Sequence, residues 1–128
     1  MRQETRNWWT QALADLRAAE VNLSVSQYYV CVFLCHQAAE KALKAVIIET
    51  LRELPPKEHN LLRLGDKLSL TEGLQAALRR LNPAYTSARY PDAANGVPAE
   101  AFDQQMAQEH IAYGEKVVEW AKKQLGQI

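Results

Sequence analysis

Apolar residues recur at steps of three and four along most of the chain. Trp9, Leu13, Leu16, Ala19 and Leu23 form one such stripe, and Asp15, Arg17 and Glu20 lie largely off it. That period marks an amphipathic helix and predicts helix one over about residues 5–24. Ser24-Val25-Ser26 reads as a tight break, with Ser26 as the N-cap of the next helix. Helix two is predicted from about Gln27 to Leu54, where Pro55 and Pro56 stop it. A shorter helical piece spans about Asn60 to Lys67. Ser69-Leu70-Thr71-Glu72 fits a capping box with Ser69 as the cap. After it, Leu74, Leu78, Leu81 and Tyr85 form the stripe of a fourth helix. The last helix is predicted to start near Pro98, a good first-turn residue. It carries Phe102, Met106, Tyr113, Val117 and Trp120 on one side and ends near Gly126. No strand-like alternation interrupts these runs. The pattern predicts an all-α fold, an antiparallel four-helix up-and-down bundle with a short extra helix, as a single domain over residues 1–128.

Helix two is the most apolar element. Tyr28, Cys31, Val32, Cys35, Ala39, Ala42, Leu43 and Val46 share a broad face. The opposite arc holds His36, Gln37, Glu40, Lys41 and Lys44, but also Tyr29, Phe33, Ile47, Ile48 and Leu51 towards its ends. A helix apolar nearly all round is covered on two sides. In a bundle this small the second cover is expected to be another subunit, so a homodimer is expected. A more completely packed monomer is the alternative.

Composition narrows the function. The 128 residues carry 15 Lys plus Arg and 15 Asp plus Glu, a formal net charge of zero. A broad basic coat for nucleic acid or anionic membrane needs a charge surplus, and none exists. Cys31 and Cys35 lie one helical turn apart and read as small buried hydrophobes, not as a disulfide framework. On a helix His36 points about 100° away from Cys35, so the three do not converge easily, and no second Cys/His cluster completes a zinc shell. No metal and no cofactor are therefore expected. The start of the chain has no apolar signal region, and the apolar stretch of helix two is broken by charges, so a membrane span is not expected and the cytoplasm is the expected compartment. There is no nucleophile elbow, phosphate-binding glycine loop or dinucleotide fingerprint.

Two segments are chemically loaded. On helix two, His36, Glu40 and Lys44 step by four, with Gln37 and Lys41 stepping by four beside them. This ridge is either a salt-bridge ladder or a polar cleft at a subunit boundary. The second segment is Tyr85-Thr-Ser-Ala-Arg89-Tyr90-Pro91-Asp92. Arg89 offers a planar donor fork for phosphate or carboxylate. Tyr90 offers a stacking face for a base, and Asp92 is placed to orient Arg89. The alternative is a structural latch in which Arg89 pairs with a bundle carboxylate such as Glu40. The candidate ligand-binding set is Arg89, Tyr90, Asp92, Lys41, Lys44, Glu40, His36 and Gln37.

Trp8 and Asp15-Leu16, Gln37-Ala-Ala-Glu-Lys-Ala-Leu-Lys44, His59-Asn60-Leu61 and Arg89-Tyr90-Pro91-Asp92, in that order, resemble a HEPN domain over about residues 5–125. The resemblance implies an all-α bundle that commonly dimerises. It also implies a nucleotide-binding role, and an occurrence beside small nucleotidyltransferases in toxin–antitoxin-like pairs. Many HEPN proteins are metal-independent ribonucleases built on Arg-x4–6-His, with the two residues meeting across a dimer. Here no histidine follows Arg89 until His110. Arg52 and His59 satisfy the bare spacing but straddle Pro55-Pro56, and Glu53 follows Arg52. The first expectation is a non-catalytic module that binds a nucleotide or RNA phosphate, or docks a nucleotidyltransferase. The alternatives are a ribonuclease using Arg52 and His59, and a pure protein-interaction module. His59 also has a plain structural role open to it, capping the short helix near Asn60.

Overall fold

The computed structural model of the chain describes residues 1–126. Four long helices form the bundle: α1 (Gln3–Ser24), α2 (Tyr28–Val46), α4 (Glu72–Leu81) and α7 (Gln104–Leu125). Three short helices, α3 (Leu61–Asp66), α5 (Ala84–Ser87) and α6 (Pro91–Ala94), sit in the connections. The all-α expectation holds. Helix α2 is central and packs along both α1 and α7, while α4 closes against α7. Cys31, Cys35, Leu43, Leu61, Leu78 and Val117 are among the residues that fill the core. Both cysteines are free and fully buried, and Cys31 Sγ lies 3.9 Å from the Ala107 carbonyl of α7.

The elements lie where periodicity puts them, but several ends differ for local reasons. Ser26 does not cap α2. It sits at φ +62°, in the left-handed region. Gln27 N–H donates to the Asn22 carbonyl and Ser26 N–H to the Leu23 carbonyl. This paired closure terminates α1, so the serine ends one helix where it was expected to start the next. Helix two stops short of Leu54. It widens into a π-helical turn over Ile47–Leu51 and ends at Arg52, which is left-handed at φ +58°. Thr50 hydroxyl donates to the Val46 carbonyl. From α1, Thr5 hydroxyl and Arg2 N–H both donate to the Glu49 carboxylate. A wider turn advances each residue by a smaller angle, and Ile47 and Ile48 are both fully buried within this chain. Those two residues thus belong to the monomer's own core and not to a second, subunit-facing side. Tyr29 and Phe33 remain half-buried, and Leu51 is exposed.

The capping box is offset by two residues. Thr71, not Ser69, caps α4, accepting from Leu74 N–H at 3.3 Å. Helix α4 ends at Leu81 ahead of Pro83, so Tyr85 belongs to the separate turn α5 and not to the α4 stripe. Pro98 opens a 3₁₀ turn, Pro98–Glu100, and the last helix starts only at Gln104, with Asp103 accepting from Met106 N–H at 2.8 Å. Among the described residues no helix is long and apolar enough to cross a membrane.

The cap assignment is open to test. Thr71→Ala should cost about 1 kcal/mol of stability, whereas Ser69→Ala should change it by no more than about 0.5 kcal/mol. Urea unfolding of the two variants reads the difference directly.

Candidate functional site

Burying charge obliges it to find a partner. On α2, Glu40 and Lys44 are each only 3% exposed. One helical turn apart, they meet at 3.0 Å, Lys44 Nζ donating to Glu40 Oε2. Lys44 also lies 5.2 Å from the centre of the Trp8 ring on α1, within cation–π range. The other carboxylate oxygen, Oε1, is 3.0 Å from His59 Nδ1. His59 belongs to the extended segment between the π turn and α3, and half of its side chain is exposed.

A second bond pins the same segment. His36 is fully buried beside Glu40 on α2. Gln37 amide nitrogen faces its Nδ1 at 3.2 Å, and its Nε2 is 3.0 Å from the His59 carbonyl. With the amide donating to Nδ1, His36 Nε2 donates to that carbonyl, which requires a neutral ring. Burial supplies the reason, holding the His36 pKa down to about 4 despite the nearby Glu40. His59 does not cap α3. Asn60 does so, accepting from the N–H groups of Leu62 and Arg63, and Asn82 accepts from Leu61 N–H alongside it.

Tyr85 joins this cluster to the second loaded segment. Its ring stacks on His59, with centroids 4.4 Å apart and planes 11° from parallel. Arg89, one turn later, donates through Nε to the Tyr85 carbonyl at 2.8 Å. The Arg89 guanidinium lies 4.3 Å from the Tyr85 ring centre, 4.9 Å from Phe33 and 4.9 Å from Tyr90. It is exposed, and among the described residues it forms no ion pair. An aromatic seat holds a guanidinium flat without consuming its charge. The terminal N–H groups stay free for a ligand oxygen. A cavity of about 350 Å³ borders the stack, lined by residues that include Lys57, His59, Asn60 and Tyr85.

Several candidates are placed otherwise than expected. The latch between Arg89 and Glu40 is absent, because Lys44 and His59 occupy the two Glu40 oxygens. Asp92 does not orient Arg89; its carboxylate accepts from Ala93 N–H at the start of α6. Lys41 is tied to the buried Asp15 of α1, which Gln11 also holds. His36, Glu40 and Lys44 are buried, so they stand behind the surface and do not line it. Only Arg89, Tyr90 and Asp92 of the ligand-binding set are exposed. Arg52 and His59 do not meet within the chain. His59 is held at Glu40 in the middle of α2, whereas Arg52 follows the π turn at its far end, and no contact between them is seen among the described residues. Phe33, expected on a subunit-facing side of helix two, and Tyr85, expected on the fourth-helix stripe and at the head of the loaded segment, both enter the site. The Tyr85–Arg89 spacing of four was the one available signal.

The His36 environment has a measurable consequence. Its folded-state pKa lies below the ordinary value of 6.5, so the unfolded chain binds more protons between those values. Stability is therefore lost as pH falls from about 6.5 to about 4, by about 3 kcal/mol from this residue. Urea unfolding across that range should show a shallower decline for His36→Gln than for the unsubstituted chain.

Known proteins place this geometry. No curated protein matches the chain. Among solved structures, TT1696 from Thermus thermophilus superposes with a TM-score of 0.89 at 29% identity, covering 96% of this chain and 99% of the other. ST0689, described as an archaeal HEPN homologue, gives a TM-score of 0.82 at 29% identity over 98% of this chain and 99% of its own. A HEPN domain protein of Thermotoga maritima gives 0.71 at 24% identity over 95% and 99%, a likeness of fold. The model of the HEPN domain matches residues 5–125, nearly the whole length. With a bundle, a central α2 and loaded segments in the order that resemblance requires, the chain belongs to the HEPN domain family.

Proposed function

We propose that this chain is a non-catalytic, dimeric HEPN module that binds the phosphate of a nucleotide or RNA at Arg89. Its partner in that reading is a small nucleotidyltransferase, in a toxin–antitoxin-like pair. One observation carries the phosphate site: an exposed arginine, seated on three aromatic rings, whose charge no carboxylate among the described residues neutralises. Arginine forks match phosphate oxygens two at a time. Tyr90, nearly half exposed beside it, supplies a face on which a base can stack. The zero net charge suits one specific contact better than a coat that tracks a long strand. The family resemblance and the half-buried or exposed apolar residues Tyr29 and Leu51 on α2 and its π turn support the dimer and the partner in this reading.

A ribonuclease is the second reading, favoured by His59. Its ring is half exposed, backed by a buried carboxylate and separated from Arg89 only by the Tyr85 ring. This differs from the Arg52–His59 pair, between which no contact is seen among the described residues.

Titration with ATP tests the first reading. Arg89→Ala should weaken binding at least about tenfold, a loss of about 1.4 kcal/mol, while the helical circular dichroism and melting temperature stay in place. Arg89→Lys, which keeps charge but loses the fork, should fall between the two. Loss of fold with Arg89→Ala would return the residue to a structural latch. Sedimentation at micromolar concentration should give twice the 14.5 kDa chain mass; a monomer rejects the dimer. Single-stranded RNA incubated with the protein and a chelator should remain intact. Cleavage that His59→Ala abolishes would establish the ribonuclease instead.

A further inference from the structure

We infer that Glu40, oriented by Lys44, decides which nitrogen of His59 carries the proton, and hence which atom His59 presents at the site. Glu40 and Lys44 are in this sense positioning residues. The proton placement stands on geometry alone; only its bearing on a ligand rests on the phosphate-site reading above.

The two oxygens of Glu40 have separate tasks. Oε2 receives Lys44 Nζ at 3.0 Å and Oε1 faces His59 Nδ1 at 3.0 Å. Lys44 has no other carboxylate among the described residues, and its side chain is 4% exposed. A buried ammonium left without an oxygen is costly, so this pairing fixes the orientation of the carboxylate. A carboxylate oxygen only accepts, so His59 Nδ1 must donate. When neutral, His59 is therefore the Nδ1–H tautomer, the opposite of the form a free imidazole side chain favours. Its Nε2 has no protein partner among the described residues, and the ring borders the cavity beside Tyr85. The backbone cannot swing the ring away, because His36 Nε2 holds the His59 carbonyl and Gln37 fixes the His36 ring. The site thus pairs a donor fork at Arg89 with an acceptor at His59 Nε2, both within 4.4 Å of the Tyr85 ring centre as measured from the guanidinium carbon and the imidazole centroid.

The isosteric Glu40→Gln variant reverses the arrangement. An amide has a single oxygen, and Lys44 claims it. The amide NH₂ then faces His59 Nδ1, which must accept, and the proton moves to Nε2. Long-range proton–nitrogen NMR of the ¹⁵N-labelled full chain, without ligand at about pH 8.5, well above the ordinary histidine pKa, reads this directly. His59→Gln assigns the signals by their disappearance. In the unsubstituted chain Nδ1 should resonate as the protonated, pyrrole-type nitrogen and Nε2 as the bare, pyridine-type one. In Glu40→Gln the two should exchange types. A protonated Nε2 in the unsubstituted chain, or a folded Glu40→Gln variant with no exchange, overturns the proposal. If Glu40→Gln fails to fold, the unsubstituted spectrum decides alone. A purely structural Glu40 predicts no exchange of tautomer. Because the measurement uses no ligand, failure of ATP binding and failure of this inference are separate results.

Discussion

A buried ammonium–carboxylate pair organises this domain. Lys44 and Glu40 sit within the most apolar helix, where an unpaired charge costs several kcal/mol. Their i, i+4 spacing lets the helix itself bring them together. The pair leaves one carboxylate oxygen unsatisfied, and that oxygen captures His59. The extended segment after the π turn is thereby drawn back along α2. His36 reinforces the return by holding the His59 carbonyl, and Asn60 and Asn82 then start α3 at a fixed place. Two polar contacts to one short segment thus fix where α3 begins, while apolar packing of α4 and α7 on α1 and α2 joins the two halves of the chain.

The surface of the site follows from that interior. His59, held edge-on by Glu40, offers its ring face to Tyr85, and the same tyrosine carries Arg89. Aromatic rings replace a carboxylate as the support for the guanidinium. The distinction matters chemically, since a carboxylate partner would have neutralised the charge, whereas π faces orient it and leave its outer donors unpaired. A chain with zero net charge can in this way keep a locally positive spot. The lysines that looked available from spacing are neutralised: Lys44 by Glu40 inside, Lys41 by Asp15 at the α1–α2 seam.

Helical periodicity was legible because every core residue of one helix repeats within that helix. The α1 stripe and the presence of a long apolar second helix ahead of the prolines are of this kind. So was the ridge of His36, Glu40 and Lys44, which are neighbours by helical geometry alone. Ends were less legible. Ser26 and Ser69 are good cap residues by type, yet Ser26 takes a left-handed backbone to finish α1, and Thr71 lies where α4 begins. Which of several suitable residues caps a helix depends on where packing starts it. The polar ridge was equally ambiguous, since exposed ladders and buried pairs have the same spacing.

The order of residues alone therefore determined an all-helical bundle, the central place of α2 and the chemical weight of the His36–Lys44 and Arg89–Asp92 segments. These depend on interactions within a turn or two of helix. Only the tertiary structure decided that Glu40 reaches His59, that Tyr85 stands between His59 and Arg89, and that Ile47 and Ile48 face the chain's own core. Those meetings join residues far apart along the chain, and they arise from the packing of separate elements and the need to satisfy a buried charge, for which no local spacing is diagnostic.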